Sequence, residues 1–195
     1  FLDDLNGMYA GAIYDPVRHR ILLFRDRFGI KPLYYTVAED GFAFSSEIKP
    51  LFAAVSRNRE INQKRLATYF TYRYVPGGDT LFKGINRVPP GAFLLYDLKT
   101  HSYEIHRYWD YHLDRVQPEM SIKDAAARFD ELFSDAINIR LRSDVELGSF
   151  ISGGIDSSAV SSAAAGLHPM LRLFTIAFKE AKYDELPQGK QLLAA

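Results

Sequence analysis

The stretch Ser152-Gly153-Gly154-Ile155-Asp156-Ser157-Ser158 concentrates residue types that together can hold an oxyanion. Two adjacent glycines let the backbone turn tightly and leave no side chain over the concavity. Amides, hydroxyls and the start of a following helix can then point at a phosphate, with about half a positive charge added by the helix N-terminus. Asp156 suits a hard, oxygen-ligated cation such as Mg²⁺, usually held by one or two carboxylates and the substrate's phosphates. The GxxxxGK[ST] loop places a lysine on the β- and γ-phosphates. No lysine is present here, so the stretch suits a pyrophosphate that leaves. A helix cap needs only one such residue; seven in a row after an apolar strand exceed that need.

The elements that must position this loop follow from periodicity. Glu146–Ile151 reads as a strand, the residues after the glycines as an Ala/Ser helix to about Gly166, and Leu171–Phe178 as a second strand. Strand, glycine turn, helix and strand form a βαβ unit with a parallel sheet. Upstream, Ile122, Ala125, Ala126, Phe129, Leu132, Phe133, Ala136, Ile137 and Leu141 recur at helical spacing, with Ser121 and Asp124 as a capping box. This helix, Ile122 to Leu141, is expected to pack in the core. The polar, Pro118-containing segment 111–120 reads as a linker.

Residues 1–110 differ in character and hold 20 of the 27 aromatic residues. Aromatic and β-branched residues suit pleated surfaces, which predicts strands at Met8–Tyr14, Arg20–Arg25, Leu33–Val37, Phe42–Ser45, Ala92–Tyr96 and Tyr103–Trp109. Turn residues separate them at Asp15-Pro16, Phe28-Gly29, Asp40-Gly41 and Pro89-Pro90-Gly91. Short helices are predicted at Ser46–Ala54 and Gln63–Thr71. The fold class is thus α+β followed by α/β.

Composition narrows the chemistry. The 195 residues carry 24 Lys+Arg against 24 Asp+Glu, so the basic footprint of a nucleic-acid binder is missing. The absence of cysteine excludes a disulfide framework, a cysteine-bound zinc and a thiol nucleophile within this chain. No apolar run approaches the roughly 18 residues that span a bilayer. His19, His101, His106, His112 and His168 lack metal-ligand spacing. The opening at Phe1 without a signal-peptide pattern, and the helix-like KQLLAA at Lys190–Ala195, suggest an internal piece of a longer soluble, cytoplasmic protein.

SGGIDSS resembles the pyrophosphate loop of the PP-loop ATP pyrophosphatases. Leu5-Asn6-Gly7-Met8-Tyr9-Ala10, RDRFGIKPLYY (Arg25–Tyr35) and Ser46-Glu47-Ile48-Lys49 resemble the later part of an N-terminal-nucleophile glutaminase domain. Tyr74-Val75-Pro76-Gly77-Gly78, TLFKGI (Thr80–Ile85) and VPPG (Val88–Gly91) resemble the stretch that joins it to a synthetase domain. In this order, over nearly the whole chain, the motifs are similar to those of the glutamine-hydrolysing asparagine synthetases.

The resemblance implies residues 1–110 as the later part of a glutaminase domain, 111–120 as linker and 121–195 as the start of a PP-loop synthetase domain. It implies glutamine, aspartate and ATP as substrates of the full-length enzyme, Mg²⁺ as cofactor, and no nucleic-acid or membrane partner; a homodimer is compatible with it. Ammonia from glutamine would attack an aspartate side chain that ATP has adenylated. Ser152, Gly153, Gly154, Asp156, Ser157 and Ser158 match the pyrophosphate loop, with Asp156 also on the metal. Ile151 and Ile176 match residues that contact ATP, although an apolar strand residue needs no ligand, and a core role stays open for both. Arg25, Asp26 and Glu47 are expected to form an internal salt-bridge network. Asp184-Glu185 matches a family pair and equally suits a solvated helix start. The family's cysteine nucleophile and glutamine-binding residues would lie upstream, and its SGEGxDE segment downstream, so the chain alone is expected to be inactive. An alternative is a related ligase acting on another carboxylate, β-lactam synthetase-like or peptide-modifying. A further rival is a non-catalytic module that keeps the fold, against which the intact loop argues.

Overall fold

The computed structural model describes residues 1–39, 41–54, 59–111, 120–177, 179 and 190. The chain divides into two units, Phe1–Asp114 and Arg115–Ala195. Residues 112–119 of the expected linker, and Asp184-Glu185, lie outside the described residues. Among the described residues no helix is long and apolar enough to cross a membrane.

In the first unit β1 (Ala10–Asp15), β2 (Arg20–Arg25), β3 (Tyr34–Ala38), β4 (Gly41–Ser45), α1 (Ile48–Ala54), α2 (Gln63–Tyr72), β5 (Ile85–Arg87), β6 (Ala92–Asp97) and β7 (Ser102–Arg107) follow in order. All six predicted strands are present with ends shifted by at most two residues. β5 has no predicted counterpart, because three residues are too few to display a period of two. The strands form two antiparallel sheets, ordered β1-β2-β6-β7 and β4-β3-β5. Alternation places Leu23 and Arg25 of β2, and Ala92, Leu94 and Tyr96 of β6, on buried faces, with Leu23 opposite Leu94. Tyr35 of β3, Leu33 and Val88 join them in one cluster, and Phe42 of β4 stacks on Tyr96 with ring centroids 4.0 Å apart. Burying Leu23 and Leu94 completely contributes about 1.5–3 kcal/mol each.

Two hairpins of the first sheet use the same turn device. Asp15 Oδ1 accepts the amides of Val17 and Arg18 at 3.0 and 2.9 Å, and Asp97 Oδ1 accepts those of Lys99 and Thr100 at 2.9 and 3.2 Å. The backbone amide of Arg18 first, and that of Lys99 first, holds the respective carboxyl below its ordinary value. The turns close through His19 (φ 53°) and His101 (φ 54°), so these histidines serve backbone geometry.

The motifs of the first unit converge on two adjacent charged residues. Arg25 is 8% exposed and donates from Nε to Lys31 O at 2.7 Å, from Nη1 to Val88 O at 2.9 Å and from Nη2 to Gly29 O at 2.5 Å. Burial pushes its guanidinium below the ordinary value, and the neighbouring Asp26 charge opposes that shift. Asp26 is 1% exposed and its carboxylate accepts the amides of Phe28, Ile30 and Lys31 at 3.2, 2.9 and 3.0 Å. Its carbonyl accepts from Gly29 N and Gly91 N, while Tyr108 Oη donates to Arg25 O at 2.7 Å. The expected salt-bridge network is therefore corrected: both charges are satisfied by main chain, which needs no charged partner. Glu47 stands exposed, and its amide donates to Ser45 Oγ.

The second unit contains α3 (Ile122–Arg140), β8 (Gly148–Phe150), α4 (Ile155–Leu167) and β9 (Arg172–Phe174). Ser121 caps α3 as predicted: its Oγ accepts Asp124 N at 3.1 Å and donates to Asp124 Oδ2 at 2.6 Å. The expectation that this helix packs in the core is corrected. Only Ile137 is buried, while Ile122, Phe129 and Leu132 are exposed. A helix of 19 residues is about 28 Å long, and among the described elements the shorter α4 is its main neighbour. β8 and β9 pair in parallel with α4 between them in sequence, the predicted βαβ unit.

Replacing Arg25 by lysine leaves one ammonium where three carbonyls need donors, and is expected to lower the unfolding free energy by about 3 kcal/mol. Gly91 has φ 61°, and a Cβ there would lie 2.6 Å from Trp109 O. Gly91→Ala is expected to cost more than about 2 kcal/mol. Urea titration checks both; a loss below about 1 kcal/mol for either variant contradicts this account of the turn.

Candidate functional site

The candidate site is the turn that leads from β8 into α4. Ile151 is 3% exposed and donates its amide to Phe174 O at 2.8 Å, which makes it the last tie between the two strands. The chain then leaves the sheet. Ser152 is exposed, Gly153 takes φ 76°, and Gly154 caps α4 with φ −74° and ψ 161°. The two glycines thus have different roles. Gly153 occupies the left-handed region that a side chain disfavours. Gly154 does not; a Cβ there would meet only Ser152 Oγ, at 3.4 Å, so neither its backbone conformation nor its packing requires a glycine.

The first intrahelical bond of α4 runs from Ser158 N to Gly154 O at 3.0 Å. The amides of Ile155, Asp156 and Ser157 precede it and have no helical carbonyl to meet. They form a cluster of donors at the positive end of the helix dipole. Hydroxyls knit the loop together: Ser152 Oγ and Ser157 Oγ lie 2.9 Å apart, Ser152 N donates to Ser157 Oγ at 3.2 Å, and Ser157 Oγ donates to Gly154 O at 3.3 Å. Asp156 is exposed in the first turn of α4 and forms no ion pair among the described residues. Ser158 Oγ is buried without a hydrogen-bond partner among them.

These residues fit a pyrophosphate held with a divalent cation. The donor set is amides and hydroxyls, and it carries one open carboxylate, Asp156. No cluster of three or more His, Cys, Asp or Glu among the described residues could hold a metal alone. A cation shared with substrate phosphates needs only one or two protein carboxylates.

Ile151 and Ser152–Ser158, singled out from the sequence, run from the end of β8 through the turn into the first turn of α4. The strand expected to carry Ile176 is shorter than predicted, and Phe178 at its expected end lies outside the described residues. The predicted strand runs to Phe178, but β9 ends at Phe174, and Ile176 lies two residues beyond it, 65% exposed. Its ladder partner has already turned away at Ser152, which leaves no parallel neighbour for residues 175–177 among the described residues. One contact escaped the sequence reading altogether. Behind the loop, Ser149 Oγ on β8 and Ser161 Oγ on α4 lie 2.9 Å apart. The available signal was a serine at position 149, between Gly148 and Phe150, in an otherwise apolar strand.

A family model described as glutamine amidotransferase domain matches residues 1–109, and one described as asparagine synthase matches residues 128–195. "Asparagine synthetase [glutamine-hydrolyzing] 1" of Bacillus subtilis is 34% identical over 192 residues, covering 98% of this chain and 30% of that protein. "Putative asparagine synthetase [glutamine-hydrolyzing] 2" of Methanocaldococcus jannaschii is 35% identical over 191 residues, covering 96% and 36% respectively. "Amidase chry2" of Gibberella zeae is 32% identical over 169 residues, covering 86% and 24%. The chain thus spans about a third or less of the length of these relatives. Among solved structures, the glutamine phosphoribosylpyrophosphate amidotransferase of B. subtilis aligns over 92% of this chain and 35% of its own, with 15% identity and a TM-score of 0.37. With an amidotransferase match over more than half its residues, an asparagine synthase match following in order and relatives of this kind along nearly its whole length, the chain belongs to the glutamine-hydrolysing asparagine synthetase family.

Proposed function

We propose that this chain is part of a cytoplasmic, ATP-dependent asparagine synthetase. The full enzyme adenylates the side chain of aspartate and amidates it with ammonia from glutamine, giving asparagine, AMP, pyrophosphate and glutamate. Residues 1–110 belong to the glutaminase part, 111–120 to the linker and 121–195 to the synthetase part. The observation that carries this reading is the loop Ser152–Ser158 between a parallel strand and α4, with three amides that have no helical carbonyl and an exposed carboxylate.

The chemistry follows from the groups present. A carboxylate is a poor electrophile, and transfer of AMP to it supplies a leaving group for attack by ammonia. As the bond from the α-phosphorus breaks, charge gathers on the departing pyrophosphate. The amides of Ile155, Asp156 and Ser157, the hydroxyls of Ser152 and Ser157 and the end of the α4 dipole are fixed before that charge appears, which makes their stabilisation effective; the Ser158 hydroxyl, buried without a partner among the described residues, would add a further donor. Asp156 would hold Mg²⁺, whose charge neutralises the phosphates when bound. Ile151 would pack beneath the nucleotide, and Ile176 would reach it from beyond β9. The chain has no cysteine, so it does not itself supply a thiol nucleophile for glutamine hydrolysis.

A second reading is a related ligase acting on another carboxylate, β-lactam synthetase-like or peptide-modifying; it is kept beside the first because one relative, 32% identical, is named as something other than an asparagine synthetase. It shares the adenylation step and differs in the acid accepted and in whether that acid is amidated or cyclised.

In the full-length protein, Asp156→Ala is expected to abolish aspartate-dependent ATP–pyrophosphate exchange while glutamine hydrolysis continues; exchange at an unchanged rate overturns the role given to this loop. The glycines separate stability from function. Gly153→Ala should lower stability by about 1–2 kcal/mol through its positive φ, whereas Gly154→Ala should leave stability nearly unchanged. Both should slow exchange at least tenfold, because either side chain intrudes on the anion's place. A Gly154→Ala protein with normal exchange contradicts that placement of the anion.

A further inference from the structure

Ser149 and Ser161 belong to neither the loop nor its predicted ligands, yet they bridge the two elements that set its shape. Ser149 sits on β8, three residues before Ser152, and Ser161 on the second turn of α4, four residues after Ser157. Their Oγ atoms are 2.9 Å apart. Ser161 is 1% exposed and, with Ala164, is one of the two buried residues of α4. A buried hydroxyl that cannot reach water holds its partner strongly, because an unmade bond there costs the desolvation of the group. The pair therefore fixes the distance and angle between strand and helix at a point behind the turn. Ser158, three residues before Ser161, lies on the same helix face, and its buried Oγ has no other partner among the described residues. Any rocking of α4 about the turn would move Ser158 and the amides of Ile155 to Ser157 together.

We infer that the Ser149–Ser161 hydroxyl pair positions the pyrophosphate loop: it holds α4 against β8 so that the helix's first amides and the Ser158 hydroxyl converge on one anion. Ser149 and Ser161 are positioning residues and touch no substrate. The inference rests on the reading of Ser152–Ser158 as the pyrophosphate site.

The test uses Ser149→Ala, Ser161→Ala and the double variant in the full-length protein, with ATP–pyrophosphate exchange and thermal unfolding measured on each. Ser149→Ala leaves the buried Ser161 hydroxyl unpaired and should lower the Tm, and Ser161→Ala, which leaves the half-buried Ser149 hydroxyl unpaired, should lower it less. The double variant removes both hydroxyls and should recover most of that loss, which keeps the test usable if a single variant fails to fold. All three that fold should raise the KM for ATP about five- to tenfold and lower kcat as well, because the donors act on charge that develops as pyrophosphate departs. A double variant whose KM returns to the parent's value along with its Tm shows a merely structural contact and overturns the inference. An unchanged KM in every variant does the same. Absence of exchange in the parent protein instead overturns the assignment of the loop, so the two failures are distinguishable.

Discussion

A guanidinium removed from water must be given acceptors on every side, and in the first unit those acceptors are all main-chain carbonyls. Arg25 meets Gly29, Lys31 and Val88; the adjacent Asp26 gathers the amides of Phe28, Ile30 and Lys31. One dipeptide at the end of β2 thus dictates the path of the following turn and the place of the Val88–Gly91 segment that leads into β6. The close approach of Gly91 to Trp109 and the bond from Tyr108 to Arg25 O extend the same tie to the residues after β7. Separated motifs, Arg25–Tyr35 and Val88–Gly91, are therefore two sides of one construction. Leu23, one step before Arg25 on the same face, continues it into the apolar cluster.

The second unit uses the opposite economy. Here the unsatisfied main-chain groups are kept rather than consumed. A helix must begin with amides that lack a helical carbonyl, and in α4 these are the amides of Ile155, Asp156 and Ser157, since the first intrahelical bond comes from Ser158 N. Serine hydroxyls organise the turn from within, and Gly153 supplies the required backbone conformation. In the proposed reaction this preorganisation matters because charge develops on the leaving group, and donors already in place need not reorganise.

Much of this was legible in the residues. Aromatic and β-branched alternation located six strands, and the glycine–serine–aspartate string located the site, because both signals lie in residue type and short spacing. Other features do not express themselves that way. Arg25 and Asp26 read as ion-pair formers because a sequence displays side-chain charge and hides backbone acceptors. The apolar face of α3 was plain, but periodicity does not say what covers it, and only Ile137 is buried. The strand before Ile176 ends at Phe174, because its partner turns away at Ser152. Ser149 and Ser161 have no period at all; only the fold brings them within 2.9 Å.

The central claim is that the loop serves adenylation of a side-chain carboxylate, with pyrophosphate as the leaving group. Isotope transfer tests it most directly. Aspartate labelled with ¹⁸O in its side-chain carboxylate would be turned over by the full-length protein with ATP and ammonia, and the nucleotide and phosphate products analysed by mass spectrometry. The account predicts one labelled oxygen in AMP and unlabelled pyrophosphate. Label in orthophosphate with ADP as the nucleotide product would mean attack at the γ-phosphorus, and would contradict the role assigned to Ser152–Ser158.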